Sequence, residues 1–130
     1  MSWHVWSATM STEAIDKSVP LRERLRTALS AAMKTRDRSA ISGLRSALGA
    51  IDNAEAIDTV DIEAGAIETS AVGLGAAEAR RRDLTEADIE QIVRAEITDR
   101  QQVAAEYDTL GRSEHGDLLR AEAAALEALL

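Results

Sequence analysis

Apolar residues recur every three or four positions along four segments of the chain, which is the spacing of one buried helical face. The pattern predicts helices over residues 20–36, 38–57, 85–110 and 114–130. Because only short turns join the first pair and the second pair, we expect two antiparallel hairpins in an all-α fold. The apolar stripes are Leu21, Leu25, Leu29, Ala32 and Met33; Ile41, Leu44, Leu48 and Ile51; Ile89, Ile92, Val93, Ile97, Ala104, Tyr107 and Leu110; and Leu118, Leu119, Leu126, Leu129 and Leu130.

Residues that favour helix ends stand where these stripes begin and stop. Pro20 suits the first position of a helix, with Ser18 nearby as a cap. Asp37 and Thr85 can cap the second and third helices. Gly111 supplies the left-handed residue that ends the third. These signals support the predicted boundaries.

Two segments lack the helical period. Because residues 1–18 lack this period, we predict a disordered N-terminal arm there, followed by one helical domain over residues 19–130. The alternative is that Trp3 and Trp6 fold back on an apolar groove. Residues 58–83 predict a mobile crossover between the hairpins, because a long stretch without periodic structure is typical of a mobile or partner-binding segment. Its two close glycines are not a phosphate loop, since no strand precedes them and the fuller glycine spacing is missing.

Composition and charge narrow the class of protein. The 130 residues fit one domain, and apolar residues make up 45% with no phenylalanine, so the core must be built from small aliphatic side chains suited to packed helices. The net charge of −8 repels a polyanion overall. The cluster Arg80, Arg81 and Arg82 is nevertheless a candidate nucleic-acid contact; the alternative is a solvated charged run ahead of a helix.

Compartment signals are few. The chain has no cysteine, which fits a reducing compartment. It has no apolar run of about 18 residues and no N-terminal pattern typical of a signal peptide. We therefore expect a cytoplasmic protein without a membrane partner.

Five charged residues fall on or beside apolar helix faces. At about 100° per residue, Glu96 and Arg100 lie in the middle of the third stripe. Glu122 lies within the fourth stripe, and Glu55 lies within the second, with Arg45 at its flank. Because a lone buried charge is costly, we expect Arg100 to pair with Glu96 or Glu122, and Arg45 with Glu55 or Glu96. Two interpretations stay open: an ionic network that fixes helix register, or a binding or catalytic cleft.

The sequence predicts no catalytic residue, metal site or cofactor. His4 lies in the predicted arm and His115 in a turn beside Glu114 and Gly116, and neither belongs to a visible arrangement of nucleophile, base and orienting group. Cysteine is absent, and so are the His-Glu-x-x-His spacing of zinc helices and the Glu-x-x-His spacing of di-iron bundles. The carboxylates around Asp61 lack the ligand spacing of a calcium loop.

Residues spread over both predicted hairpins carry a family resemblance. In the second hairpin they are Leu84-Thr85-Glu86, Ala95-Glu96-Ile97 with Arg100, Glu106-Tyr107 with Gly111-Arg112, and Glu122 with Leu126-x-x-Leu129. In the first they are Leu25, Met33-Lys34, Asp37, Leu44-Arg45 and Asn53-Ala54-Glu55. Together they resemble the YqeY family of small bacterial proteins, which is related to the tail domain of the B subunit of the tRNA-dependent amidotransferase. The insert AVGLGAAEARRRDLTE resembles the actinobacterial branch of that family.

The resemblance implies an all-helical N-terminal domain, and this chain ends where a small second helical domain is expected. It also implies a non-catalytic binding module whose partner is tRNA or an amidotransferase or other tRNA-charging protein. Two alternatives remain open. One is an amidase-like carbon–nitrogen ligase with glutamine as amido-N-donor, using a carboxylate of the Glu96, Arg100, Glu122 cluster. The other is a protein-interaction domain unrelated to tRNA, favoured by the charge of −8.

Overall fold

The computed structural model describes the backbone of residues 15–68 and 83–130, and the side chains of residues 15–56 and 83–130. Within these ranges the chain forms four helices and no strand, which confirms the predicted all-α class. The predicted disorder of residues 1–14 and the arginines at 80–82 lie outside the described residues. The helices are α1 (Leu21–Thr35), α2 (Arg38–Glu68), α3 (Glu86–Thr109) and α4 (Ser113–Glu127). None of the four combines the length and apolar composition that a membrane crossing needs.

Three of the predicted end signals act as expected. The carboxylate of Asp37 accepts the backbone N–H of Ala40 at 3.2 Å and so caps α2. Thr85 and Asp88 form a reciprocal capping box at the start of α3, with bonds of 3.1 and 3.0 Å. Gly111 has a positive φ of 75° after α3, as its position predicts.

The start of α1 differs from the prediction. Pro20 is the residue before the helix rather than its first residue, and the Ser18 hydroxyl donates to Asp16 instead of capping. The N–H of Leu21 donates to the carboxylate of Glu86, 3.1 Å away in the first turn of α3. A distant acidic side chain therefore replaces the local cap, and it ties the two hairpins together at one end.

Helix α2 ends at Glu68 and not near residue 57, so the predicted boundary is corrected by eleven residues. Residues 58–68 contain no proline, and only one glycine interrupts them. Once a helix has formed, each further residue adds a hydrogen bond at little cost, so acidic residues alone do not end it. The remainder of the predicted crossover, residues 69–82, lies outside the described residues.

The core is shared by all four helices and consists of alanine, valine, leucine and isoleucine. Helices α3 and α4 pack closely along their length, α1 packs on α2, and α2 also lies against α4. This arrangement is consistent with two antiparallel hairpins that meet through α2 and α4. The buried residues are Leu21, Leu25, Ala32, Ala40, Leu44, Ala47, Ile51, Ile89, Val93, Ile97, Ala123, Leu126 and Leu129.

Three residues of the predicted apolar stripes are exposed instead. Met33 is 50% exposed, Leu110 71% and Leu118 54%. Met33 and Leu110 lie within three residues of a hairpin turn. On α4, Leu118 is about 80° around the helix from the fully buried Leu126, so it lies at the edge of the buried face.

The turn between α1 and α2 closes in a Schellman motif around Arg36. The N–H of Arg36 donates to the carbonyl of Met33 at 3.3 Å, and the N–H of Asp37 donates to that of Ala32 at 3.0 Å. The motif requires a left-handed residue, and Arg36 has φ 58° and ψ 39°. Its Cβ makes this conformation unfavourable by about 1 kcal/mol, so stability alone favours glycine here.

We expect Arg36→Gly to raise the free energy of unfolding by up to about 1 kcal/mol, because glycine adopts the left-handed conformation without steric strain. Urea denaturation measures the change. The matched control, Lys34→Gly, places glycine in the last right-handed turn of α1 and should lower stability by about 1 kcal/mol. A loss of stability in Arg36→Gly would show that the arginine side chain makes a stabilising contact.

Candidate functional site

The guanidinium of Arg100 on α3 lies between two carboxylates at the junction of α2, α3 and α4. Its Nη1 donates to Glu96 Oε1 at 2.9 Å and to the Glu96 backbone carbonyl at 3.2 Å. Its Nε donates to Glu122 Oε1 on α4 at 2.9 Å. The Arg100, Glu96 and Glu122 side chains are 13, 20 and 15% exposed. The structure thus brings together three of the five charged residues that the sequence singled out.

Two residues of α2 that the sequence analysis missed complete this cluster. The Ser46 hydroxyl donates to the Oε1 atom of Glu96 at 2.7 Å, and this atom is also bonded to Arg100. Gly43 packs on the backbone of Glu122: a Cβ there would lie 2.9 Å from the Glu122 carbonyl oxygen. A signal was present, because Gly43, Ser46 and Ala47 form a face of small side chains at i, i+3 and i+4 spacing. We call Ser46, Glu96, Arg100 and Glu122 the junction cluster.

The other two predicted members lie elsewhere. Arg45 is exposed and forms no ion pair with Glu55 or Glu96 in the described parts of the chain. Glu55 accepts a hydrogen bond from Arg22 Nη2 of α1 at 2.8 Å. The expected Arg45 pairing is therefore wrong. Arg45 and Glu55 are on the same helix, about 15 Å apart along its axis, and the position of Arg45 on α2 does not reveal whether Glu96 of α3 faces it. The Arg22–Glu55 pair joins α1 to α2, as the Arg100–Glu122 pair joins α3 to α4.

The electrostatics of Arg100 favour a fixed positive charge. Burial opposes the charged form, but the hydrogen bonds that Arg100 donates to Glu122 and Glu96, together with the negative charges of those residues, outweigh it, so the pKa of the guanidinium lies above its usual value. Arg100 therefore serves as a permanent hydrogen-bond donor. It can orient carboxylates or hold an anion, but it cannot accept a proton.

A second ionic cluster holds the turn between α3 and α4. Arg120 donates to both carboxylate oxygens of Asp108, at 2.9 and 3.0 Å, and to Asp117 at 2.8 Å. The hydrogen bond from Arg120 holds the pKa of Asp108 below its usual value. Arg120 and Asp108 are each 41% exposed, so the cluster contributes less to stability than its geometry suggests. Gly116 lies beneath it, where a Cβ would be 2.9 Å from the Ala104 carbonyl oxygen.

The described residues offer few groups for catalysis. His115 packs its ring against Tyr107, with ring centroids 4.2 Å apart, and is not part of the junction cluster. No group of three or more His, Cys, Asp or Glu side chains within the described ranges could hold a metal ion. The junction cluster contains a hydroxyl and two carboxylates, but neither histidine nor lysine belongs to it.

Comparisons with protein-family models, curated proteins and solved structures find no match for this chain.

We expect Arg100→Ala to lower the free energy of unfolding by about 2–4 kcal/mol, between the values typical of exposed and fully buried pairs. The loss leaves Glu96 and Glu122 half-buried without their cation. The control is Arg112→Ala at the exposed turn, which should cost less than about 0.5 kcal/mol. Thermal and urea unfolding compare the two variants, and equal stabilities would rule out a structural role for the junction cluster.

Gly43 and Gly49 give a matched test of the contact between α2 and α4. We expect Gly43→Ala to cost about 1–3 kcal/mol, because the new methyl group would displace the Glu122 backbone. Gly49 is exposed and a Cβ there meets nothing within 4 Å, so Gly49→Ala should stabilise α2 by about 0.5–1 kcal/mol. Opposite signs in urea denaturation would support the contact, and stabilisation by both changes would refute it.

Proposed function

We propose that this chain is a non-catalytic helical binding module, related to the tail domain of the tRNA-dependent amidotransferase, that assists tRNA or a tRNA-charging protein. The observation that carries the non-catalytic part is the junction cluster. Arg100 donates to both carboxylates, and Ser46 donates to one of them, so the charged groups satisfy each other. Such a cluster holds the helices in register, and we expect the partner to bind at exposed residues elsewhere on the module.

The tRNA part of the proposal rests on the family resemblance and on charge. Between residues 15 and 56 the chain has eight basic and five acidic residues, whereas between residues 83 and 130 it has four basic and twelve acidic residues. The remainder of α2, residues 57–68, adds four acidic residues and no basic one, so only the part of the first hairpin near the α1–α2 turn has a surplus of positive charge. A polyanion is attracted to that end of the hairpin and repelled by α3 and α4, despite the net charge of −8. A tRNA partner places the module in the cytoplasm, and the resemblance places it in actinobacteria.

A glutamine-dependent amidase is the second candidate, and one specific contact favours it. The Ser46 hydroxyl donates to a carboxylate oxygen of Glu96 at 2.7 Å, which is within proton-transfer distance. Against it, the same oxygen already accepts a hydrogen bond from Arg100 as well as the one from Ser46, so both of its lone pairs are engaged. We rank it below the binding module for this reason.

Binding of tRNA is tested by filter binding or gel shift over a salt series. If tRNA binds through three phosphate contacts, at Arg80, Arg81 and Arg82, we expect its affinity to fall roughly 40-fold between about 50 and about 200 mM salt, because each contact releases counterions. Replacing Arg80, Arg81 and Arg82 with alanine should remove these three contacts, weaken binding at least about tenfold and reduce the salt slope by about 3. Arg94→Ala, on the acidic hairpin, is the control for loss of one charge. Binding that ignores both salt and the triple change rejects the electrostatic part of the proposal.

The enzyme alternative is tested on the same protein by release of ammonia from glutamine, with and without tRNA. We expect none, because no activated nucleophile is present in the junction cluster. Hydrolysis that Ser46→Ala and Glu96→Gln both abolish, at unchanged melting temperature, would establish the enzyme instead. Failure of both the tRNA and glutamine assays would favour a protein-interaction domain.

A further inference from the structure

Four basic side chains cluster at and beyond the turn between α1 and α2. Lys34 is in the last turn of α1, Arg36 is in the turn, and Arg38 and Arg45 are on the first two turns of α2. All four are exposed. None of them forms an ion pair or a side-chain hydrogen bond within the described parts of the chain, whereas Arg22, Arg94, Arg100 and Arg120 each bind a carboxylate. We call these four residues the basic turn.

Two members of the basic turn occupy positions where folding favours another residue. Arg36 is left-handed, a conformation that glycine adopts without strain. Arg38 is the first residue of α2, where the helix dipole favours an acidic side chain, and the first turn of α2 contains none. At this one turn, two basic residues stand where local stability favours another residue type, which indicates that they serve a function other than stabilising the fold.

The face of α2 that continues from the turn is polar and open. Arg38, Ser42, Arg45 and Gly49 follow one another at i, i+4, i+7 and i+11, and all are exposed. Arg38 and Arg45 are therefore on one face, about 10 Å apart along the axis. This face has donors but no apolar anchor of the kind that forms the centre of a protein interface. Guanidinium groups so arranged are suited to phosphates, which they bind through two parallel hydrogen bonds.

We propose that the basic turn, Lys34, Arg36, Arg38 and Arg45, is the surface through which the module contacts the phosphate backbone of RNA. This inference rests on the proposed function and adds a location and an orientation to it. The RNA lies against the α1–α2 turn and the start of α2, and the acidic hairpin of α3 and α4 faces away from it, since its charge repels phosphate. The contacts position the backbone and carry no base specificity.

The key variant is Arg36→Gly, because it removes a proposed contact while relieving backbone strain. We expect a higher melting temperature together with weaker tRNA binding, so loss of binding cannot be attributed to unfolding. The triple variant Arg36→Gly, Arg38→Ala, Arg45→Ala should weaken binding at least about tenfold and reduce the salt slope by about 3, one unit for each phosphate contact. Arg94→Ala is the control that removes one cation from the acidic hairpin.

The outcomes separate this inference from the function beneath it. If the unmodified protein does not bind tRNA at low salt, the tRNA proposal fails and this inference fails with it. If tRNA binds and the triple variant binds with unchanged affinity and slope, the function stands and the basic turn is overturned. Equal binding to poly-glutamate would show that any polyanion suffices and would also overturn an RNA surface. Dimers that dissociate at high salt and are absent in the triple variant would also overturn the RNA surface, because the basic turn would then bind the acidic hairpin of a second copy.

Discussion

The packing of α3 against α4 depends on Arg100, whose guanidinium lies between the carboxylates of Glu96 and Glu122 and binds both. A core of small aliphatic residues has few large side chains that fix one helix against another, and such cores adopt alternative packings easily. A guanidinium that binds one carboxylate on its own helix and one on the next is satisfied in a single register. Gly43 and Ser46 extend that constraint to α2, because they require the α2 backbone to approach α4 and Glu96 closely.

Helical periodicity was sufficient to predict most of the architecture. The four helices, the cap at Asp37, the capping box at Thr85 and the glycine stop at Gly111 all follow from local rules that the structure obeys. The pairing of Arg100 with Glu96 followed from their i, i+4 spacing, and that with Glu122 followed from the shared hairpin. Local signals succeed here because each depends on residues within one helix or across one short turn.

The errors have the opposite origin. The predicted end of α2 lies eleven residues before Glu68, because a change to acidic composition does not end a helix in a segment without proline. Glu55 pairs with Arg22 of α1 rather than with Arg45, and Leu21 is capped by Glu86 from another helix. These contacts depend on which helices become neighbours and at what crossing. A wheel drawn for one helix contains no such information: the small face of Gly43, Ser46 and Ala47 indicates a close approach, but it does not identify the helix that packs there.

The basic side chains of this molecule fall into two groups: those that bind a carboxylate and stabilise the fold, and those that do not. Arg22, Arg100 and Arg120 each bind a carboxylate and join helices or a turn. The basic turn has no such partner, and Arg36 and Arg38 work against local stability where they stand. Unpaired cations on a strained turn raise the local positive potential, which an ion pair would cancel. Among the described residues, three of the four exposed arginines without a carboxylate partner belong to the basic turn. The surplus of acidic residues on α3 and α4 therefore favours a polyanion at the basic turn over one at the second hairpin.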